Sequence, residues 1–248
     1  MGTVLAAVAV LPGLAVGSFL NVVAARLPER RSIAVPRSAC GTCAAQIAWY
    51  DNVPLVSYLL LRGRCRSCGA LIGWIYPAVE LATAGLFAGC LLAFGFSLRA
   101  LAAAVFCAAL VVVTATDLTH RIVPNLVVLP SAAVVLALMT VAEPSPRWAI
   151  AAAAAAGFLF AAVLAHPNGM GMGDVKLALL MGAALGRTVS VALLLAMVTA
   201  LIPSVVLLVR HGSKARKMAI PFAPFLAVGS VVALFAGDAL IHAYLSLF

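Results

Sequence analysis

The chain has 248 residues, 65% of them hydrophobic and 9% charged, with a mean hydropathy of +1.18 and a formal charge of +9. Several apolar runs reach about 18–23 residues, enough to cross a hydrocarbon core of ~30 Å at ~1.5 Å per residue, which excludes a soluble globular domain. The charge alone suggests nucleic acid, but its placement along the chain, described below, argues against that.

The first run, Val4 to Ala25, lacks the basic start and the A-x-A exit of a secretory signal and is longer than an h-region of ~7–15 residues. It reads as a retained span. Further spans are expected at 77–97, 99–116, 124–142, 148–165, 175–186, 188–209 and 221–243, the first being 3–25. The fold class is therefore an all-α polytopic membrane protein of about eight transmembrane helices. The sixth span is the weak point. Residues 175–186 make only ~18 Å of helix, whereas joined to 188–209 they would make ~52 Å, so a break is expected at Gly186-Arg187.

With the N-terminus outside, the cytosolic segments hold Arg26, Arg30, Arg31, Arg37, Arg62, Arg64, Arg66, Arg121, Lys176, Arg210, Lys214, Arg216 and Lys217. These are 13 of the 16 basic residues; Arg99, Arg147 and Arg187 are the exceptions. The bias follows the positive-inside rule, so the charge is topological and meets anionic headgroups rather than nucleic acid.

Three regions follow: a first transmembrane helix (1–25), a cytosolic module rich in Arg, Pro, Ser and Cys (26–76), and a bundle of helices (77–248) with polar loops at 143–147 and 211–218. The alanine run 150–156 is helix-friendly and small enough for close helix approach. The module contains an internal repeat. CGTCAAQIAW (40–49) and CRSCGALIGW (65–74) superpose at an offset of 25 residues. The two C-x-x-C turns suit a closed, structural zinc site with Cys40, Cys43, Cys65 and Cys68 as ligands. A disulfide pair is the alternative, disfavoured because the charge bias puts these cysteines in the reducing cytosol. A module this small would take much of its folding free energy from the metal. Cys90 and Cys107 lie in apolar runs and read as core residues.

The seven acidic residues can be taken one by one. Glu29, Asp51, Glu143 and Asp238 read as solvated charge. Glu80, in YPAVELA, either complements a helix N-terminus or has a functional role. Asp117 ends the third span in TATDLTHRIVPN, and Asp174 begins the sixth in GMGDVK. Both are expected at the cytosolic boundary. Two such carboxylates brought together share a proton and form an acid/base dyad of the aspartic-protease kind. Gly169, Gly171 and Gly173 are expected to adopt positive φ and admit a substrate backbone. Pro124 is placed to start the next helix. His120, Arg121 and Lys176 either steer charge or anchor the topology. A proton-coupled transporter is the alternative for paired membrane aspartates, but no inverted repeat is evident.

The chain resembles the type IV prepilin peptidases, a family of bifunctional leader peptidases and N-methyltransferases with a G-x-G-D aspartate motif. The resemblance runs through GSFLNVVAARLP (17–28), the cysteine module with WYDNVPLVSYLLLRGRCRSCG (49–69), YPAVEL (76–81), DLTHRIVPN (117–125), GMGDVKL (171–177) and IPFAPFLAVG (220–229). It implies a bacterial inner-membrane aspartic endopeptidase with Asp117 and Asp174 catalytic, supported by Gly171, Gly173, Lys176 and Glu80. It also implies prepilin and pseudopilin substrates of pilus or type II secretion systems, cut on the cytosolic side between a short basic leader and an apolar helix. In bifunctional members the new N-terminus is methylated from S-adenosylmethionine; no residue for that donor follows from the motifs. The zinc would be structural. The chain departs from the common pattern at Gly41, Ile75, Ala84-Gly85 and Ala223, none of which is an aspartate.

Overall fold

The computed structural model describes residues 2–166, 170–212 and 220–246. Gly169 and the basic residues Lys214, Arg216 and Lys217 lie outside them. Among the described residues the regular structure is helical, in the order α1 (Gly2–Arg26), a 3₁₀ turn (Trp49–Asn52), α2 (Val56–Leu60), α3 (Ile75–Phe94), α4 (Leu98–His120), α5 (Asn125–Ala142), α6 (Arg147–Ala165), α7 (Met172–Leu185), a second 3₁₀ turn (Gly186–Thr188), α8 (Val189–His211) and α9 (Ala223–Leu245).

The described residues hold seven runs long and apolar enough to cross a membrane. One of these, Met172–His211, is broken by the turn at Gly186 into α7 and α8, where the sequence placed the break. Gly186 adopts φ +56°, and a side chain there would also meet the Trp148 ring. Only glycine meets both demands without strain.

The chain forms two compact units, divided between Phe96 and Ser97. In the first, α1 packs along α3. The contact rests on Gly13 and Gly17: a Cβ on Gly13 would lie 2.6 Å from the Ala84 Cα, and one on Gly17 would lie 2.7 Å from the Glu80 Cα. Two small residues one turn apart let two backbones touch, which is how membrane helices gain packing where lipid offers no hydrophobic drive. The residues between α1 and α3 form the cysteine module. α3 thus groups with α1 and the module, and not with the later helices.

The second unit has a core of Phe106, Leu110 and Val113 from α4, Val128 and Val135 from α5, Leu177, Leu180 and Met181 from α7, and Leu226 from α9. Its glycines again mark close crossings. A Cβ on Gly182 would lie 2.3 Å from the Ala151 oxygen of α6, so the alanine run at 150–156 is the surface on which α7 lies. Gly229 and Gly237 of α9 meet Ala192 and Thr188 in the same way, which makes α8 and α9 antiparallel. The start of α9 at Ala223 bonds Asp117, and Asp174 at the start of α7 lies within electrostatic reach of Asp117, so α7 and α9 start at the same end and α8 runs opposite to α7.

One end of this unit collects three cations and two acids. Arg99 and Arg147 both pair with Glu143, and Arg187 pairs with Asp238. Every basic residue that broke the charge bias is thus matched by an acid. Glu143 and Asp238, expected to be simply solvated, are the partners.

α4 extends past the expected end at residue 116 to His120. The hydroxyls of Thr116 and Thr119 donate to the Val112 and Ala115 carbonyls, and Arg121 closes the helix in a left-handed conformation, its N–H donating to the Asp117 backbone carbonyl at 3.0 Å. This cap sets the direction of the last turn, on which Asp117 stands.

Candidate active site and metal centre

The two motif aspartates sit at the same end of the second unit. Asp117 occupies the last turn of α4, Asp174 the first turn of α7, and these helices are in contact. Asp117 is buried and Asp174 half-buried, and each carboxylate lies within electrostatic reach of the other. The Asp117 Oδ2 accepts a 3.1 Å hydrogen bond from the Ala223 N–H, the first residue of α9. A helix N-terminus offers unpaired N–H groups and a favourable dipole to a carboxylate. The C-terminal motif IPFAPF thus reaches the site through a backbone donor, which explains why an alanine serves at position 223.

Lys176 is neither a free anchor nor a partner of the aspartates. Its Nζ donates to the Asn125 Oδ1 at 2.9 Å, tying α7 to the start of α5. Asn125 closes the motif DLTHRIVPN, so this bond links the two aspartate motifs directly. Sequence reasoning missed Asn125 because an amide at a helix start reads as a cap. Pro124 does start the helix: its carbonyl accepts from the Val127 and Val128 N–H groups. His120 is exposed and bonds to Thr119.

The glycines act differently from the expectation. Gly171 and Gly173 are absent from the positive-φ residues; Gly171 is an extended N-cap at φ −84° and Gly173 is helical. What Gly173 supplies is space, since a Cβ there would lie 2.8 Å from the Val123 Cβ. It seats α7 against the segment that follows Asp117.

In the cysteine module the repeat is exact at the backbone. The Cys40 N–H donates to Ala45 and the Cys65 N–H to Ala70; Ala44 donates to Cys40 and Gly69 to Cys65; and the bridges Ala39–Gln46 and Arg64–Leu71 close both knuckles. Four thiolates held tetrahedrally at ~2.3 Å from one zinc ion would lie about 3.8 Å apart. The Cys40 and Cys68 Sγ atoms are 3.8 Å apart, and all four Sγ atoms lie within 4.8 Å of one another without a disulfide. The residues therefore fit the metal. The N–H groups of Cys43 and Thr42 point at the Cys40 sulfur and hold its thiol down to about 6, which prepares a thiolate ligand. Across the knuckles, Arg66 grips Asp51 with two bonds of 2.8 and 2.6 Å. This ion pair holds the Asp51 carboxyl below its ordinary range.

Glu80 is a buried acid on α3 of the first unit, and its Oε2 accepts from the Leu55 N–H at 2.9 Å. It pins the loop before α2, and Leu55 holds a left-handed φ of +58° there.

Two family models match the chain. Residues 11–94 match the bacterial peptidase A24 N-terminal domain and residues 104–205 the type IV leader peptidase family. The gap between the matches contains the boundary between the two compact units. Among curated proteins, the chain is 36% identical to a prepilin leader peptidase/N-methyltransferase of Bacillus subtilis (strain 168), over 95% of this chain and 96% of that one. It is 36% identical to one of Burkholderia pseudomallei (strain 1026b), over 93% and 85%, and 34% identical to one of Pseudomonas aeruginosa (strain PAO1), over 95% and 92%. No solved structure matches. With both motif aspartates at one end of its helices and relatives of this name matched along nearly their whole length, the chain belongs to the type IV leader peptidase family.

Proposed function

We propose that the chain is a membrane aspartic endopeptidase that removes the leader from prepilins and pseudopilins at the cytosolic face of the inner membrane, with Asp117 and Asp174 as its catalytic pair. The observation that supports this reading is that Asp117 and Asp174 stand at neighbouring ends of α4 and α7, within electrostatic reach, with Asp117 fixed by the N-terminus of α9. Two carboxylates brought within a few ångströms share one proton between them. The ionised member draws a proton from water as it attacks the scissile carbonyl, and the protonated member polarises that carbonyl. Asn125 and Lys176 position α7, and Gly173 lets it approach.

The four cysteines would hold zinc as a structural ion, with all ligand positions filled by thiolates and none left for chemistry. The family's second activity, methylation of the new N-terminus, uses S-adenosylmethionine as donor.

The test is cleavage of a prepilin in membranes, with mass spectrometry of the product to read methylation. Asp117→Asn and Asp174→Asn are each expected to lose activity by at least about 10²–10³-fold while remaining folded. A variant that cuts at the wild-type rate would remove its aspartate from the mechanism. For the metal, Cys40→Ser is expected to lose bound zinc, and equal zinc content in both proteins would exclude the four-thiolate site.

A further inference from the structure

The segment VPLVSYLL (53–60) has no part in the dyad or the thiolate cluster, yet its placement is unusual. The Leu55 N–H lies 2.9 Å from the Glu80 carboxylate, and Glu80 is the sixth residue of α3. α3 is a membrane-spanning run that begins at Ile75. Glu80 is therefore about 7.5 Å along the span, and α2 starts beside it. The short helix has two faces. Ser57 is buried, donating to the Tyr50 carbonyl and accepting from the Val53 N–H. Val56, Leu59 and Leu60 cluster on another face at i, i+3 and i+4, and are 52%, 72% and 78% exposed.

We propose that this face is a wedge that inserts into the bilayer at the boundary between headgroups and acyl chains, on an anionic leaflet. Three observations assign the occupant. The depth fixed by Glu80 puts α2 level with the first turns of a transmembrane helix. Trp49 and Trp74, the matching residues of the two knuckles, are 82% and 73% exposed, and Trp74 immediately precedes α3. Tryptophan at the mouth of a span marks the interface. The module also carries Arg26, Arg30, Arg31, Arg37, Arg62, Arg64 and Arg66 against only Glu29 and Asp51. That charge attracts anionic headgroups and repels both a basic peptide and a second copy of itself. Glu80 thus holds the wedge at its depth by binding the backbone at Leu55.

The experiment uses the full-length, zinc-loaded protein in bilayers containing phosphatidylglycerol, with benzoylphenylalanine at position 60 or at the exposed knuckle position 42, illuminated and analysed by mass. Position 60 is expected to yield phospholipid adducts several-fold above position 42, less so when neutral phosphatidylcholine replaces the anionic lipid. Equal adducts at the two positions, or adducts from position 60 to added prepilin or to a second copy, would overturn the wedge. A yield indifferent to lipid charge would overturn its assignment to an anionic leaflet. Zinc content reports that the labelled module is folded. Because adducts are read equally well in an Asp117→Asn background, the outcome is independent of the peptidase reading.

Discussion

At the scale of the residue, charge in an apolar sequence is the most legible signal. Asp117 and Asp174 stood out because a carboxylate in a membrane helix has to have a reason. Their setting did not, because neutral partners leave no trace in charge or hydropathy: Asn125 bonded to Lys176, the Ala223 N–H on Asp117, and Val123 under Gly173. Asp51 was read as solvated and proves to be the acid of a bidentate pair. Its carboxyl is depressed in the folded protein, so the stability it adds is fully present above the ordinary carboxylate value of 3.8 and is lost as pH falls through the lower folded value. The melting difference between wild type and Asp51→Asn is therefore expected to stay constant from neutral pH down to about 5 and to shrink below that. A difference that instead widens toward acid would show that the pair does not stabilise the ionised form.

At the scale of the element, the hydropathy pattern was enough to place the eight long helices of the described residues to within a few residues at most ends, and the repeat of 25 residues is plain in the sequence. What it could not supply is contact. The alanines at 150–156 were expected to allow a close approach, but not which helix makes it; Gly182 of α7 does. Replacing Gly182 with Val puts a side chain into the α6 backbone and is expected to destabilise the protein by ~1–3 kcal/mol. Gly157→Val, at a helical glycine with nothing within 4 Å, is the matched control and should be near neutral apart from helix propensity. Thermal unfolding in detergent separates them, and equal effects would mean that the α6–α7 crossing is loosely packed. The turns were harder still: α2 and the first 3₁₀ turn are too short to have a period, and they were missed.

At the scale of the whole molecule, two readings of the run Met172–His211 differ in topology. One helix there gives seven crossings, and two helices joined at Gly186 give eight. Starting outside, eight crossings return the C-terminus outside and seven leave it in the cytosol. A phosphatase fused after Phe248 is expected to be active, and one fused after Gly212 inactive, since α9 separates them. An inactive C-terminal fusion would contradict the hairpin. The cation–acid pairs at Arg99, Arg147 and Arg187 agree with this arrangement, because they leave that end of the second unit nearly neutral while the other charges gather elsewhere.

The hairpin at Gly186 also sets a depth. Arg187 and Asp238 are well exposed and paired with each other, and Asp174 lies 13 residues before Arg187. If the turn at Gly186 stands at the outer surface, that distance is about 20 Å of helix in a hydrocarbon core of ~30 Å, which would leave the proposed carboxylate pair about 10 Å short of the cytosolic surface. Hydrolysis at a pair so placed would need a wet inlet rather than an open face. It would also set a minimum reach for the proposed substrate: the polar arm before the scissile bond would have to be about three extended residues long simply to bring its charges back out to the headgroups.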